Sequence, residues 1–210
     1  MRTILAAAIL ATACAGAALA QMPQMPQMPQ MPQGMPQMPQ GVPGAAPAAS
    51  PAPTPVARAG GQFVDREGRT IGSVTMVEAP RGILINIAIN QSGLPAGRKG
   101  IHIHSVGTCD DRQAGFTASG AHLGAPGLPH GLLNQTGDYG DLPNLIVRAD
   151  GGVEVEMFTT LASLVGAQGR GTILDNDGGA LVIHQNPDDH YSQPIGGAGP
   201  RIACAVIRRQ

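Results

Sequence analysis

The sequence predicts an all-β domain, a sandwich or barrel built from short strands. From Gln62 onward, short β-like runs alternate with turns of Gly, Pro, Asn and Asp. No stretch of the chain keeps a helical hydrophobic period over several turns. The chain from Gln62 to Gln210 is also long enough to bury a single hydrophobic core.

The strands are predicted in chain order from their apolar runs. These runs are TIGSVTMVEA (70–79), GILINIAINQSG (82–93), KGIHIHSVG (99–107), LPNLIVRADGGVEVEMF (142–158) and ALVIH (180–184). Within and between them, ADGG (149–152) and DNDGG (175–179) are typical of hairpin turns.

A long connection rich in Gly and Pro lies between His104 and Leu142. Loops of such length are uncommon unless they are functional or held in place. This one carries Cys109, His122, His130, Asp138 and Asp141. We therefore expect a functional site along this connection.

Residues 1–20 are predicted to be a secretory signal peptide. They contain Arg2, an apolar middle and the sequence Ala-Leu-Ala before Gln21, which places cleavage after Ala20. This segment is too short to be a convincing transmembrane helix, so the mature protein is expected in the periplasm. As an alternative, the sequence ATAC loosely matches a lipobox that would attach a lipid at Cys14.

Residues 21–60 are predicted to be a disordered linker, first rich in Met, Pro and Gln and then in Pro and Ala, so the domain occupies 61–210. Proline at every third position excludes helix and sheet and favours polyproline II, which has about three residues per turn. Methionines then line one edge: Met22, Met25, Met28, Met31, Met35 and Met38. Because thioethers suit Cu(I), one hypothesis is an arm that takes copper from a donor. The alternative is a plain spacer.

The composition argues against a nucleic-acid partner. The formal net charge is −1 at pH 7, so there is no basic excess to neutralise phosphates. Two Tyr, three Phe and no Trp leave few side chains to stack on bases.

Removal of the signal peptide would leave two cysteines, Cys109 and Cys204. An even pair in an oxidising compartment predicts one disulfide. Two buried free thiols are the alternative.

Two of the six histidines lie on alternate residues of one predicted strand, in GIHIHSVGTCD (100–110). Side chains at i and i+2 share a face of a strand, so His102 and His104 face one side and Ile101 and Ile103 the other. Paired imidazoles indicate a shared metal ion. Two ordinary strand histidines are the alternative, and this stretch alone does not separate the two.

Four blocks of the chain resemble the copper,zinc superoxide dismutases, particularly the bacterial exported branch. They are GIHIHSVGTCD, ASGAHLGAPGLPHG, GDYGDLPN and LVIHQNPDDHYSQPIGGAGPRIAC, and they occur in the family's order. The resemblance covers about Gln62–Ile207. It implies a Greek-key β-barrel or sandwich, immunoglobulin-like, with long metal-binding loops. It also implies copper and zinc as cofactors and an antioxidant activity, the disproportionation of superoxide to dioxygen and hydrogen peroxide.

The resemblance implies a ligand set for each metal. Its copper ligands are His102, His104, His122 and His184. His122 matches the family's bridging ligand to zinc, and His130 and Asp141 match two further zinc ligands. Four imidazoles suit both oxidation states of copper.

One zinc position departs from the family pattern. The family's remaining zinc ligand is a histidine three residues before the aspartate, where this chain has Asp138. Asp138 either completes a tetrahedron of two histidines and two aspartates, with reduced zinc affinity, or the zinc site is weak or empty. We favour the first hypothesis because a carboxylate remains a competent donor.

The same resemblance implies a role for Asp188 and for Arg201, and none for His190. Asp188 matches a carboxylate that links His102 and His130 through their free ring N–H groups. Arg201 matches the arginine beside copper that attracts superoxide, so Arg201 and His122 are the expected catalytic residues. His190 matches no ligand and is placed on the loop between Asp188 and Arg201, a loop poor in charge.

Two other functions would use some of the same residues. A non-catalytic copper-binding or storage module on the same fold would use the histidines but would have no need of Arg201. A zinc hydrolase is weaker, because no glutamate lies near the histidines to act as general base. The resemblance is compatible with a monomer and with a homodimer.

Overall fold

The computed structural model describes residues 55–124 and 127–210, and this part of the chain is all-β, as the sequence predicts. The strands are β1 (Ala57–Asp65), β2 (Thr70–Ala79), β3 (Gly82–Ile89), β4 (Gly97–Lys99), β5 (Ile101–His104), β6 (Leu145–Val147), β7 (Val153–Thr159), β8 (Ala162–Ser163), β9 (Gly171–Thr172), β10 (Ala180–His184), β11 (Arg201–Val206) and β12 (Arg208–Arg209). Two short 3₁₀ helices, Arg112–Ala114 and Thr117–Ser119, interrupt the long connection.

The main sheet is antiparallel and curled, consistent with a Greek-key β-barrel. Its eight strands run in the order β5-β10-β11-β1-β2-β3-β7, with β12 also pairing with β1. Two smaller sheets join β4 to β6 and β8 to β9. Because β5 lies beside β10, the two predicted histidine-bearing strands are neighbours.

Alternation along the strands builds the core. In β3, Ile83, Ile85, Ile87 and Ile89 are buried, and the residues between them point to the other face. Ile101 and Ile103 of β5 join this core, while the histidines of β5 lie on its opposite face. The sheet thus fixes the direction in which those imidazoles project.

The first strand begins before the predicted domain boundary. The sequence assigns residues 21–60 to the linker, but β1 starts at Ala57, with Ala57 and Ala59 buried against the core. Small residues at these positions resemble the composition of the linker, so the sequence does not distinguish the strand from it. Residues 55–60 are therefore part of the folded domain.

Two predicted hairpins are wrong in their pairing. ADGG (149–152) and DNDGG (175–179) do form bends, but β6 pairs with β4, β7 pairs with β3 and β10 pairs with β5 and β11. Each bend therefore moves the chain between sheets or distant strands rather than joining two paired neighbours.

The predicted disulfide is confirmed. Cys109 and Cys204 are bonded, with their Cα atoms 5.8 Å apart and a sequence separation of 95. They pack with Phe116 and Val182 in a small hydrophobic group apart from the main core. The start of the long connection is therefore fixed to β11.

Some predictions fall outside the described residues. The signal peptide (1–20), Cys14 and the methionine repeat of residues 22–38 all lie there. Within the described part, no helix is long and apolar enough to cross a membrane.

Candidate metal centre

Two neighbouring strands and one loop bring the predicted ligands together. His102 and His104 lie on β5, and His184 ends β10. The long connection returns to β5 through isolated bridges between His104 and His122 and between His102 and Asp141. The amide of Leu123 donates to the carbonyl of Ile103 at 2.7 Å, which holds the loop in that register.

Four histidines converge in what we call the first cluster: His102, His104, His122 and His184. One nitrogen from each ring lies within 4.8 Å of the others, and the rings are buried or nearly so. The rings of His102 and His122 stack with centroids 4.0 Å apart. These four imidazoles come from sequence positions up to 82 residues apart on the strand and loop framework described above.

The unpartnered atoms of the first cluster show what it can hold. His102 Nδ1 and the Nε2 atoms of His104, His122 and His184 are buried and have no hydrogen-bond partner. On three of the rings the other nitrogen is engaged: by Asp188 at 2.8 Å, by the carbonyl of Gly120 at 2.9 Å and by that of Gly199 at 2.9 Å. Buried polar atoms are rarely left unsatisfied. Four imidazole donors aimed at one point fit a copper ion.

A second cluster lies on the far side of the His122 ring. His102, His122, His130 and Asp141 form the group of donor atoms within 4.8 Å of one another. His130 Nδ1 is 2.8 Å from Asp141 Oδ1, and His122 Nδ1 is 3.7 Å from the same oxygen. These three atoms are buried and lie close to one another. Mixed nitrogen and carboxylate donors fit zinc.

Asp138 lies at the edge of the second cluster. Its Oδ2 is 3.4 Å from His122 Nδ1, and its side chain is 14% exposed. Among the described histidines it contacts only His122 within 4 Å. Zinc ligands about 2.0–2.1 Å from a tetrahedral ion lie about 3.3 Å from one another. The separation of Asp138 from His122 matches one edge of such a tetrahedron, but the group of donor atoms within 4.8 Å of one another does not include Asp138.

Asp188 joins the two clusters, as the resemblance implies. Its Oδ2 accepts from His102 Nε2 at 2.8 Å, and its Oδ1 accepts from His130 Nε2 at 3.0 Å. Asn144 holds the backbone of Asp188 by accepting from its amide and donating to its carbonyl. One buried carboxylate thus orients a ring in each cluster.

His190 contributes to this arrangement although it matches no ligand. Its amide donates to Asp188 Oδ1 at 2.7 Å, and its ring Nδ1 lies 3.3 Å from Asp188 Oδ2. Asn144 Nδ2 contacts its Nε2 at 3.1 Å. The resemblance does not predict these contacts of His190 and Asn144. The asparagine in GDLPN is the sequence feature that could have indicated them.

Protonation differs between the clusters. Burial lowers the pKa of His102 to about 4, that of His184 to about 3 and that of His104 well below its usual value. These rings are therefore neutral at pH 7, the form that binds a metal ion. Burial acts the same way on His130, but hydrogen bonds to Asp141 and Asp188 outweigh it and raise the pKa of His130 to about 10.

Arg201 lies beside the first cluster on β11. Its Nη1 donates to the carbonyl of Phe116 at 2.6 Å and to Ser119 Oγ at 3.0 Å, and its Nη2 donates to the carbonyl of Gly120 at 2.7 Å. An open groove of about 520 Å³ is lined by Arg201 and His122 together with Asp138. The residue is half-buried and its guanidinium is held by these three acceptors, so it is a fixed donor at the groove that His122 also lines.

Comparison with known proteins identifies a family. Residues 70–207 match the family model described as copper/zinc superoxide dismutase. A curated Cu-Zn superoxide dismutase of Caulobacter vibrioides is 46% identical over 144 residues, which cover 68% of this chain and 80% of the relative. A Cu-Zn superoxide dismutase of Aquifex aeolicus is 37% identical over 153 residues, which cover 72% of this chain and 86% of the relative.

Solved structures give the same result. The crystal structure of a double mutant of a SOD-like protein from Bacillus subtilis superposes with a TM-score of 0.64 at 38% identity, covering 70% of this chain and 94% of that one. The Cu/Zn superoxide dismutase from Brucella abortus superposes with a TM-score of 0.57 at 26% identity, covering 72% and 99%.

Proposed function

The chain belongs to the copper/zinc superoxide dismutase family, and we propose that it disproportionates superoxide to dioxygen and hydrogen peroxide with Arg201 and His122 as catalytic residues. The observation that carries this function is the first cluster: four buried imidazole nitrogens without partners, aimed at one point beside a fixed guanidinium. Its cofactors are copper and zinc.

Copper would be held by His102 Nδ1 and by Nε2 of His104, His122 and His184. When bound, it supplies one-electron redox chemistry, oxidising one superoxide to dioxygen and reducing a second one that leaves with two protons as hydrogen peroxide. Because their second nitrogens are fixed by Asp188, Gly120 and Gly199, three of these rings keep one orientation.

Arg201 binds and orients the anion. Its Nη1 and Nη2 groups are held by three oxygen acceptors, so the positive charge is in place before the substrate arrives. Superoxide is small and offers little surface for contact, which makes a charge-assisted hydrogen bond its main recognition. His122 lines the same groove, and its imidazole can carry a proton to the bound anion.

The enzyme is tested by superoxide removal with copper-loaded and zinc-loaded protein. Arg201→Ile should slow turnover by about tenfold or more without changing copper content, since it removes the anion's charged partner. Arg201→Lys should recover part of the rate, and Arg209→Ile, on the exposed strand β12, should leave it unchanged. A loaded wild-type protein without catalysis would instead favour the storage module.

Zinc would be held by His122 Nδ1, His130 Nδ1 and Asp141 Oδ1, with Asp138 as the fourth ligand. The 3.4 Å separation between Asp138 Oδ2 and His122 Nδ1 supports this assignment. An aspartate places its donor on a shorter side chain than histidine does, so its oxygen reaches less far toward the other donors. We therefore propose zinc binding with reduced affinity.

The zinc assignment is tested by metal competition. Asp138→His should raise zinc affinity by about tenfold, and Asp138→Leu should lower it by about tenfold, since a ligand or outer-shell partner is worth roughly that much. Copper affinity should change little in either variant. Equal zinc affinity in Asp138→Leu and the wild type would remove Asp138 from the ligand set.

Export to the periplasm is proposed from the sequence of residues 1–20. Mass spectrometry of the exported protein should give a mature chain beginning at Gln21. A lipid-modified chain beginning at Cys14 would replace this proposal with the anchor.

We also propose that the methionine repeat takes Cu(I) from a donor. The soft thioethers support this. Mature protein with its six repeat methionines changed to leucine should acquire copper more slowly from a Cu(I)-loaded donor, with unchanged final occupancy. Equal rates would make the segment a spacer.

A further inference from the structure

The loop that leads to Arg201 carries almost no charge that could attract an anion. Between Asp188 and Arg201 there is no lysine or arginine, and the exposed residue Asp189 is negative. The formal net charge of the whole chain is −1. A long-range attraction of an anion toward Arg201 must therefore come from another part of the surface.

A second guanidinium lines a groove at Arg201. Arg66, in the turn between β1 and β2, lines with Arg201 a groove of about 310 Å³, which we call the Arg66 groove; its other lining residues include Gly115, Thr117 and Pro200. Arg201 also lines the larger groove that holds His122. Arg201 therefore lines both grooves.

Arg66 has no carboxylate partner within 4 Å among the described residues. Its Nη2 donates to the backbone carbonyl of Gln113 at 3.2 Å, which positions the group without neutralising it. The acidic residues of its own turn are engaged by Arg69, which contacts Asp65 at 2.6 Å and Glu67 at 3.4 Å. Arg66 is exposed, so its charge faces solvent at the groove.

Asp111, the carboxylate whose charge acts on Arg201, is also engaged. Asp111 Oδ2 accepts from Thr117 Oγ1 at 2.7 Å and from the amide of Ala118 at 2.9 Å. Its charge partly offsets that of Arg201 but is directed into the loop. Arg112 lies against Gly68 of the Arg66 turn and adds positive charge outside the groove.

We propose that Arg66 is a steering residue for the anionic substrate, drawing it along the Arg66 groove to Arg201. This inference rests on the proposed function. Charges at the rim of a cleft raise the local concentration and on-rate of an oppositely charged substrate without touching the reacting atoms. Such an attraction is screened over a Debye length of about 10 Å at 0.1 M salt.

The test compares two arginines that are anchored alike. Arg66→Gln and Arg66→Glu are measured against Arg170→Gln, because Arg170 also donates to a backbone carbonyl, that of Pro80, but lines neither groove. Holoenzyme with equal copper and zinc content is assayed for kcat/KM from about 10 mM to about 500 mM salt. The affinity for azide, followed by the Cu(II) absorption spectrum, gives a second readout that needs no turnover.

At low salt Arg66→Gln should lower kcat/KM by about twofold and Arg66→Glu by about fourfold, as expected for one and two unit charges about 10 Å from an anion in water. Both differences should disappear at high salt, azide should bind correspondingly more weakly, and Arg170→Gln should match the wild type. An equal loss in Arg170→Gln, or a loss that persists at high salt, would overturn the steering role. Wild-type holoenzyme that binds azide but removes no superoxide would instead overturn the proposed function.

Discussion

The two metal clusters share His122 but differ in what holds them. In the first cluster, three of the four histidines lie on paired strands. In each of these three rings, the nitrogen that does not face the cluster contacts a carbonyl or Asp188. In the second, His130 and Asp141 both lie on the long connection. The sheet therefore sets the first geometry in advance, whereas the second depends on loop contacts and on an aspartate in place of histidine.

The largest expected effect separates the clusters directly. His104→Ala removes a strand-borne donor and should lower copper affinity by more than about a hundredfold, because loss of an outer-shell partner alone costs ten- to a hundredfold. Zinc affinity should change far less, since His104 is absent from the second cluster. Competition titration with a chelator for each metal measures both. A parallel loss of zinc would mean that the second cluster is not independent.

Asp188→Asn should affect both clusters, because its carboxylate contacts a ring in each. We expect affinity losses of about ten- to a hundredfold, larger for zinc than for copper. The reason for the difference is that His102 stays fixed on β5, whereas His130 loses one of its few anchors. Equal losses for the two metals would contradict the contrast between strand and loop. Asp189→Asn, on the neighbouring exposed residue, is the control.

The pH dependence of metal binding should also differ. The raised pKa of His130 means that its ring is protonated below about pH 10, so zinc must displace a proton when it binds. The copper ligands His102 and His184 have pKa values near 4 and 3 and carry no such proton at neutral pH. Between pH 6 and about 9, zinc affinity should rise about tenfold per pH unit more steeply than copper affinity. His122 is a ligand in both sites, so its protonation contributes equally to the two pH dependences. Parallel slopes in competition titrations would contradict this.

The smallest expected effect is on a loop anchor. Gln193 accepts from the amide of His130 at 2.8 Å and donates to its carbonyl at 2.8 Å. Gln193→Ala should weaken zinc binding by about fivefold, the equivalent of one net hydrogen bond of about 1 kcal/mol. Copper affinity should stay within error. A loss of copper would show that the loop also supports the first cluster.

Strands with strong alternation could be predicted from the sequence, and strands of small residues could not. TIGSVTMVEA and ALVIH coincide with β2 and β10 residue for residue. By contrast, β1 contains alanine and glycine beside a Pro/Ala segment, and its burial depends on pairing with distant β11 as well as adjacent β2. The wrong hairpins have the same cause, since a turn motif fixes the bend but not the partner strand.

The sequence predicts most of the residues that the structure brings together in the two clusters, but not their contacts. Side-chain alternation placed His102 and His104 on one face, and the resemblance supplied the remaining ligands. The position of Asp138 at the cluster edge, the contacts of His190 and the exposure of Arg66 beside Arg201 depend on how separate loops meet. No local pattern in the sequence carries that information.

The carbonyl of Gly120 accepts from two groups that act at different moments. It receives His104 Nδ1 at 2.9 Å and Arg201 Nη2 at 2.7 Å. A substitution that displaces this peptide would therefore disturb the orientation of a copper ligand and of the anion's docking group together.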